Sequence, residues 1–147
     1  MGNASTTIVR DALAAALAKA NALLDAHPER ALAEAEAILR RAPDLPQAEF
    51  LACQALRRLG RAKAALPRLA ALSRRSPRVA AVTWELAQAA SEVGAGEQAI
   101  AALRVLTREQ PEIASGWFLL ARELRKAGSP QEAWRADLSG VQASARH

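Results

Sequence analysis

Apolar residues recur along this chain at the three- and four-residue spacing of an amphipathic helix, as in the series Leu66, Leu69, Leu72. The pattern predicts an all-α protein whose helices come in pairs. We expect the first helices of the pairs to cover residues 7–26, 46–59, 79–93 and 114–127. We expect the second helices to cover residues 28–41, 62–75, 97–110 and 130–144.

The whole pattern repeats every 34 residues. The period is carried by three residue types: Gly60, Gly94 and Gly128; Pro43, Pro77 and Pro111; Ala31, Ala65, Ala99 and Ala133. A fixed period of this length indicates supersecondary units that bury their apolar faces by stacking. We therefore predict one domain over residues 1–147, with units at about 12–45, 46–79, 80–113 and 114–147.

Each repeated residue has a physical role in a helix pair. Glycine closes the first helix in a left-handed conformation, and proline between units stops the second helix. The small residues mark the places where paired helices approach closely, and Cys53 shares such a place with Ala87 and Ala121. Ser129 followed by Pro130 predicts a capped helix start, with Glu132 completing it. Pro67 lies inside a second helix and is expected to kink it.

The composition offers little material for catalysis. Cysteine occurs only at Cys53, and the two histidines are His27, which precedes a proline in a predicted turn, and the terminal His147. A catalytic triad, a metal site and a disulfide therefore lack their residues. No apolar run approaches the roughly 20 residues of a membrane span. We expect a non-enzymatic, cytoplasmic protein of bacterial composition, with no cofactor, no metal and no membrane partner.

The net charge of +5 raises the question of nucleic acid. Cations near helix C-termini complement the helix dipole, so they have a structural reason to be there. Many arginines fall at such predicted ends: Arg40, Arg41, Arg74, Arg75 and Arg108. We prefer this interpretation and expect no nucleic-acid partner. A helical-repeat RNA-binding protein remains the alternative.

Three stretches carry a family resemblance: FLACQALRRLG at 50–60, WELAQAASEVG at 84–94 and FLLARELRKAG at 118–128. With the alanine five residues after each, they resemble the tetratricopeptide repeat (TPR). The resemblance implies a right-handed superhelical TPR solenoid of about four helix-turn-helix units, eight helices in all. It also implies that the first helices line a concave groove that holds a peptide or a partner helix. The function it favours is a protein–protein interaction module or adaptor.

A narrower resemblance points to the N-terminal repeat region of bacterial TPR-containing sulfotransferases. It rests on ALRRLG at 55–60, GEQAIAALR at 96–104 and AWRADL at 133–138. The phosphosulfate-binding loop of such enzymes does not occur in these residues, so no catalysis is implied for the chain. The alternative function is then the N-terminal repeat domain of a larger enzyme, serving dimerisation or substrate presentation.

The candidate groove is defined by the period. Phe50, Trp84 and Phe118 form an aromatic ladder, and aromatic side chains are effective binding anchors. The next row is Gln54, Gln88 and Arg122. Basic flanks and an acidic centre complete the surface: Arg57, Arg58, Arg125 and Lys126, with Glu85 and Glu92. A partner with acidic groups around a neutral or basic middle would match it. The alternatives are that the aromatics pack between units and that the charges are merely solvated.

The two ends of the chain raise a different question. Leu13, Leu17 and Leu24 make the first helix apolar nearly all round, which suggests a homodimer or cover by the preceding residues. Near the other end, we expect Trp117 to be a core residue. The apolar stripe Trp134, Leu138 and Val141 is expected to pack on the last first helix, with a partner or a downstream domain as alternatives.

Overall fold

The computed structural model describes residues 4–146, which places His147 outside the described range. Within that range the chain is entirely helical, with eight helices and no strand. Their bounds are α1 Ala4–Leu23, α2 Pro28–Arg41, α3 Pro46–Arg58, α4 Ala62–Arg75, α5 Ala80–Glu92, α6 Gly96–Glu109, α7 Ala114–Lys126 and α8 Pro130–Ala145. The predicted helix pairs are confirmed, and only α1 departs by as much as three residues at either end. Among the helices of this range, none is long and apolar enough to cross a membrane.

The chain divides into two compact units, and the boundary between Arg68 and Leu69 falls inside α4. In the first unit, α1 packs against α2 and α2 against α3. In the second unit, each helix from α5 to α8 packs against the next. The single domain and the four repeat bounds stay predictions.

Helix pairs meet at small side chains. The repeated alanines are fully buried, as are the small residues of the first helices: Ala31, Ala65, Ala99 and Ala133, and Cys53, Ala87 and Ala121. Both sets of small residues are therefore confirmed as contact positions. In the first unit, larger side chains such as Leu24 and Leu51 fill the core around these alanines.

Glycine closes three of the four helix pairs as the sequence predicts. Gly94 has φ of 80°, and its N–H donates to the Ser91 carbonyl at 3.2 Å. The Ala95 N–H donates to the Ala90 carbonyl at 2.8 Å, which completes a Schellman turn. Gly60 and Gly128 form the same pair of bonds.

The first pair turns without a left-handed residue. Ala26 stands where the other repeats have glycine, and no non-glycine residue in the described range has a positive φ. The Leu24 N–H donates to the Asn21 carbonyl at 3.2 Å, and the His27 N–H to the Leu23 carbonyl at 2.8 Å. This tight turn ends α1 three residues earlier than the pattern predicts.

The predicted helix start at Ser129 is correct in position and different in chemistry. Ser129 is the N-cap of α8 and Pro130 opens the helix, but the serine side chain forms no capping hydrogen bond. Its carbonyl accepts the Ala133 N–H at 3.0 Å. Glu132 pairs with Arg104 at 3.0 Å, so its carboxylate is held by the neighbouring helix pair. His27 likewise occupies the N-cap of α2 without a side-chain capping bond.

Pro67 lies within α4, which continues around it to Arg75. The ring removes one backbone donor from the helix. The kink expected there stays a prediction.

An arginine that the sequence pattern did not single out links three helices of the first unit. The Arg68 guanidinium bonds Glu49 on α3 through Nε at 2.6 Å, and Glu36 on α2 through Nη1 at 2.8 Å. The hydrogen bond to Glu49, followed by that to Glu36, raises the pKa of Arg68 above its ordinary value against the opposing effect of burial. The side chains are largely screened from water, with 30% exposure for Arg68 and 20% for Glu49. Arg68 therefore joins α4 to both α2 and α3.

Replacing Arg68 should lower the stability of the protein more than replacing an arginine of an ordinary surface ion pair. Arg68→Ala is expected to lower the free energy of unfolding by about 2 kcal/mol, because it leaves a partly buried carboxylate unpaired. Arg58→Ala is the control, since its partner Asp25 is 89% exposed and such pairs contribute about 0–1 kcal/mol. Urea unfolding measures both, and equal losses would contradict the bridging role.

The left-handed turns provide a second stability test. Gly94→Ala is expected to cost roughly 1 kcal/mol, because alanine is strained at positive φ. Gly96→Ala is the matched control two residues away. Gly96 has ordinary helical φ and open space around an added Cβ, so its replacement should stabilise by about 0.4–1 kcal/mol. Thermal or urea unfolding of the two variants checks the opposite signs.

Candidate partner-binding surface

The aromatic ladder is partly available to solvent in both units. In the first unit, Phe50 is half-buried on α3. In the second unit, Trp84 is half-buried on α5, and Phe118 on α7 is 40% exposed. None of the three is a fully buried core residue, so each retains ring surface that a partner could contact.

Phe118 also packs inside its own repeat, whereas the alternative interpretation had the aromatics pack between units. A Cβ placed on Gly140 of α8 would lie 2.6 Å from Cε1 of the Phe118 ring. The ring therefore occupies the space that a side chain at position 140 would need. The earlier second helices carry Leu72 and Leu106 at this place in the period. Gly140 is thus a fitted partner of Phe118, which explains why the last repeat has glycine where the earlier ones have leucine.

Four of the predicted groove residues come together in the second unit. A small cleft of about 200 Å³ lies along α5 and α7, and we call it the α5/α7 cleft. Its lining residues are Trp84, Gln88, Ser91, Glu92, Leu119 and Arg122. An indole, a carboxamide and a guanidinium thus converge on one opening of about the size of a side chain.

A buried carboxylate positions the cation of this cleft. The Arg122 Nη2 donates to Ser91 Oγ at 3.1 Å, and Ser91 Oγ donates in turn to the Glu123 carboxylate. Glu123 is 3% exposed, and Lys126 Nζ lies 3.5 Å from its Oε1. Glu123 therefore orients Arg122 through a hydroxyl. Sequence reasoning missed Glu123, because nothing in its local pattern distinguishes it from a solvated charge.

The predicted acidic centre requires a correction. Glu92 is exposed and lines the cleft, but Glu85 is 5% exposed. Glu85 faces the interior of its helix packing, so it contributes no charge to the surface. The acidic centre is therefore reduced to Glu92.

The predicted basic flanks are partly engaged within the chain. Arg58 Nε bonds Asp25 at 3.0 Å, and Arg125 pairs with Asp137. This pairing also accounts for Asp137, which stands where the earlier second helices have Leu69 and Leu103. In the first unit, Gln54 and Arg57 are half-buried on α3. In the part of the chain that the structure describes, Arg122 forms no ion pair, which leaves its charge available to a ligand.

The three leucines predicted for self-association differ in burial. Leu24 is 5% exposed and belongs to the core of the first unit, and Leu17 packs against that core. Leu13 lines a cavity of about 520 Å³ between α1 and α2. The large apolar side chains that α1 does expose are Ile8 and Val9, at 65% and 59%. Leu24 is therefore wrong as a contact residue, while self-association through Leu13 and Leu17 stays a prediction.

The tryptophans of the last repeat also differ from expectation. Trp117 is half-buried, and its indole Nε1 donates to the Pro111 carbonyl at 2.8 Å. Trp134, Leu138 and Val141 are exposed by 63%, 42% and 57%. The expectation that this stripe packs on the last first helix is wrong, because the buried side of α8 is formed by small residues such as Ala133 and Ala136.

No metal centre is suggested by the acidic residues. Over residues 4–146, no group of three or more His, Cys, Asp and Glu side chains is arranged to hold an ion. The chemistry of the cleft is that of hydrogen bonding, charge and aromatic contact.

With this geometry in view, comparison with solved structures identifies the fold class as an α-solenoid of the TPR type. Several structures of MamA are among the solved structures that it resembles. MamA 41-end from Desulfovibrio magneticus RS-1 has a TM-score of 0.84 and 19% identity, with 90% of this chain and 75% of that one covered. MamA AMB-1 has a TM-score of 0.83 and 18% identity, covering 92% and 80%. MamA MSR-1 has a TM-score of 0.81 and 18% identity, covering 91% and 78%.

At these identities the likeness shows the fold alone, and the TPR resemblance is confirmed at that level. No protein-family model matched the sequence, and the search of curated proteins gave no match. The narrower resemblance to TPR sulfotransferases gains no support from the comparisons.

The contact between Phe118 and Gly140 can be tested by a double-mutant cycle. Gly140→Ala is expected to cost about 1–3 kcal/mol of unfolding free energy, because the new methyl group overlaps the ring. In a Phe118→Leu background the same change should cost far less, since the ring is absent. Urea unfolding of the four proteins gives the coupling energy, and strictly additive losses would contradict the contact.

Proposed function

We propose that this protein is a non-enzymatic interaction module, or adaptor, that binds a carboxylate-bearing segment of a protein partner at the first-helix surface. The observation that carries the proposal is the convergence of Trp84, Gln88 and Arg122 on the α5/α7 cleft. A cleft of this size accepts one or two side chains of an extended segment. It lacks the paired acid and base groups that a catalytic site requires.

Each lining group has a distinct part in recognition. Arg122 offers a planar fork of donors suited to a carboxylate. Gln88 can donate to and accept from a peptide backbone without reading its sequence. Trp84 supplies apolar contact area at low entropic cost. Together they favour an Asp or Glu side chain, or a C-terminal carboxylate, beside an apolar neighbour.

The hydrogen bonds that hold the Arg122 side chain favour a role in binding over a guanidinium that is simply solvated. Its guanidinium is held by Ser91, which is itself held by the buried Glu123. A cation oriented before binding loses less conformational freedom when the ligand arrives. Glu92 also lines the cleft, so both signs of charge are present there.

We extend the proposal to the other predicted groove residues through the period. Phe50, Gln54, Arg57 and Arg58 carry the equivalent rows of the first unit, with neutral or basic character. Phe118, Arg125 and Lys126 carry those of the last repeat. Where Arg58, Arg125 and Lys126 already contact carboxylates, binding would exchange one carboxylate for another.

A cytoplasmic location and a bacterial origin accompany this proposal as expectations from composition. The alternative, a repeat domain of a larger sulfotransferase-like enzyme, rests on the short sequence resemblance. Reading the coding sequence beyond His147 tests it directly, because a sulfotransferase would need a phosphosulfate-binding loop there. RNA binding is the less favoured alternative, because single-stranded RNA binds by stacking several bases on aromatic side chains. Among the residues that line the α5/α7 cleft, Trp84 is the one aromatic residue.

The proposal is tested by variants of the cleft in partner capture and peptide binding. Trp84→Ala should weaken binding of acidic peptides from an arrayed library by roughly 30-fold, the usual loss at an aromatic hot spot of about 2 kcal/mol. Arg122→Gln should weaken acidic peptides while leaving their amidated analogues unchanged. Isothermal titration measures the affinities, and circular dichroism verifies that helical content is retained.

Trp134→Ala is the matched control, because Trp134 is an exposed indole that lies outside the cleft. It should bind the same peptides as the unaltered protein. Equal affinity of all variants for every peptide would overturn the proposed site.

A further inference from the structure

Three large apolar side chains stay exposed along one side of α8. Trp134, Leu138 and Val141 are 63%, 42% and 57% exposed and are spaced by four and three residues, so they form one stripe. We call them the α8 stripe. Contiguous apolar surface of this kind is a common mark of a protein contact. The repeat period shows what covers the same places in the preceding helix pair.

In the second unit, the equivalent face of α6 is covered by α7 at Thr107. Leu138 and Val141 lie one period after Arg104 and Thr107. Arg104 and Thr107 line a common cleft with Trp117, Leu120 and Leu124 of α7. Thr107 is 4% exposed, and its Cγ2 would lie 3.5 Å from a Cβ on Gly116. Val141 therefore occupies a place that a following first helix covers, while Leu138 matches Arg104, whose side chain is 55% exposed.

The matching face of a first helix is exposed on α1. Ala15, Ala18 and Ala22 lie three periods before Trp117, Leu120 and Leu124, and all three alanines are exposed. On α3, the same places are Glu49, Ala52 and Leu56, of which Ala52 and Leu56 are 0% and 7% exposed. On α7, Leu120 and Leu124 are 5% and 3% exposed. A column that is buried in α3 and α7 is thus left open in α1.

The sizes of the two open faces are complementary. Between α6 and α7, Thr107 of the second helix lines a common cleft with the bulky Trp117, Leu120 and Leu124 of the first helix. At the neighbouring place the order is opposite, because Leu106 of α6 would lie 3.5 Å from a Cβ on Gly116 of α7. On the open faces the bulk is reversed, because α8 carries tryptophan, leucine and valine while α1 carries alanines. Close packing requires large side chains to meet small ones. The two faces therefore fit each other in the register that the chain already uses.

We propose that α8 of one copy of this protein packs against α1 of a second copy, in the register in which α6 packs against α7. The contact places Leu138 and Val141 over the column of Ala15, Ala18 and Ala22. It is heterologous, since each copy uses a different face, and so further copies can be added until a ring closes or a filament grows. It uses no residue of the α5/α7 cleft and does not depend on the function proposed for it.

The experiment uses the full chain and two variants with one carboxylate in each face. Val141→Glu disables the α8 stripe, and Ala18→Glu disables the alanine column of α1. Both positions are exposed within one copy, so the variants should fold, which circular dichroism and thermal unfolding verify. Ala101→Glu is the matched control, because it adds the same charge at an exposed site of α6 that belongs to neither face.

Light scattering and sedimentation measure the mass at increasing protein concentration. The unaltered chain and Ala101→Glu should exceed the monomer mass of 15.6 kDa and grow with concentration. Val141→Glu and Ala18→Glu should each remain monomeric. An equimolar mixture of these two variants should form a dimer and nothing larger, because each retains the face that the other lacks.

The mixture distinguishes this contact from other arrangements. A symmetric contact of α1 with α1 would leave Val141→Glu dimeric, and a symmetric contact of α8 with α8 would leave Ala18→Glu dimeric. Either result overturns the proposal. A monomeric unaltered chain at all concentrations, or a mixture that stays monomeric, overturns it as well.

Discussion

The close approach of paired helices at alanine is the constraint on which the rest of this structure depends. Ala31, Ala65, Ala99 and Ala133 have no exposed surface, and each lies in the second helix of a pair. An alanine leaves only a methyl group between the helices, so larger neighbours can interdigitate around it at native packing density. In three of the four pairs, a left-handed glycine turn then brings the second helix back at the distance that the alanine permits. Surfaces that lie away from these contacts are free to vary.

The parts of the fold that depend on local backbone chemistry could be predicted from the sequence. Glycine at positive φ, proline at helix starts and the apolar spacing each act within a few residues, so they determine helix bounds to within three residues. The first turn shows where this reasoning stops. The sequence shows alanine at position 26 where the other repeats have glycine. Its consequence, a tight turn that ends α1 early, depends on how the backbone satisfies its own hydrogen bonds.

The parts that depend on distant side chains could not be predicted in the same way. Glu85 and Glu123 are charged residues, and nothing in their local sequence marks them as buried, yet both are buried. Glu123 accepts a hydrogen bond from Ser91, which lies 32 positions away in the sequence. Arg68 finds Glu36 at the same separation. The period could have offered a hint, because a residue one repeat away lies on a neighbouring helix. Whether two side chains meet still depends on their rotamers and on what packs beside them.

Departures from the period are therefore more informative about contacts than its regular positions. Gly140 replaces a leucine because the Phe118 ring fills the space, and Asp137 replaces an apolar residue while it pairs with Arg125. With these two changes, the buried side of α8 consists of small residues, and its large apolar side chains lie on the exposed stripe. In α1 the opposite change occurs, since alanines stand where α7 has tryptophan and leucine. A repeat whose inner contacts are satisfied by small residues gains no stability within one copy from bulky residues outside. The bulky residues of the α8 stripe are opposite in size to the open alanine column of α1. A contact between two copies requires this difference in size, whereas the fold of a single copy does not require it.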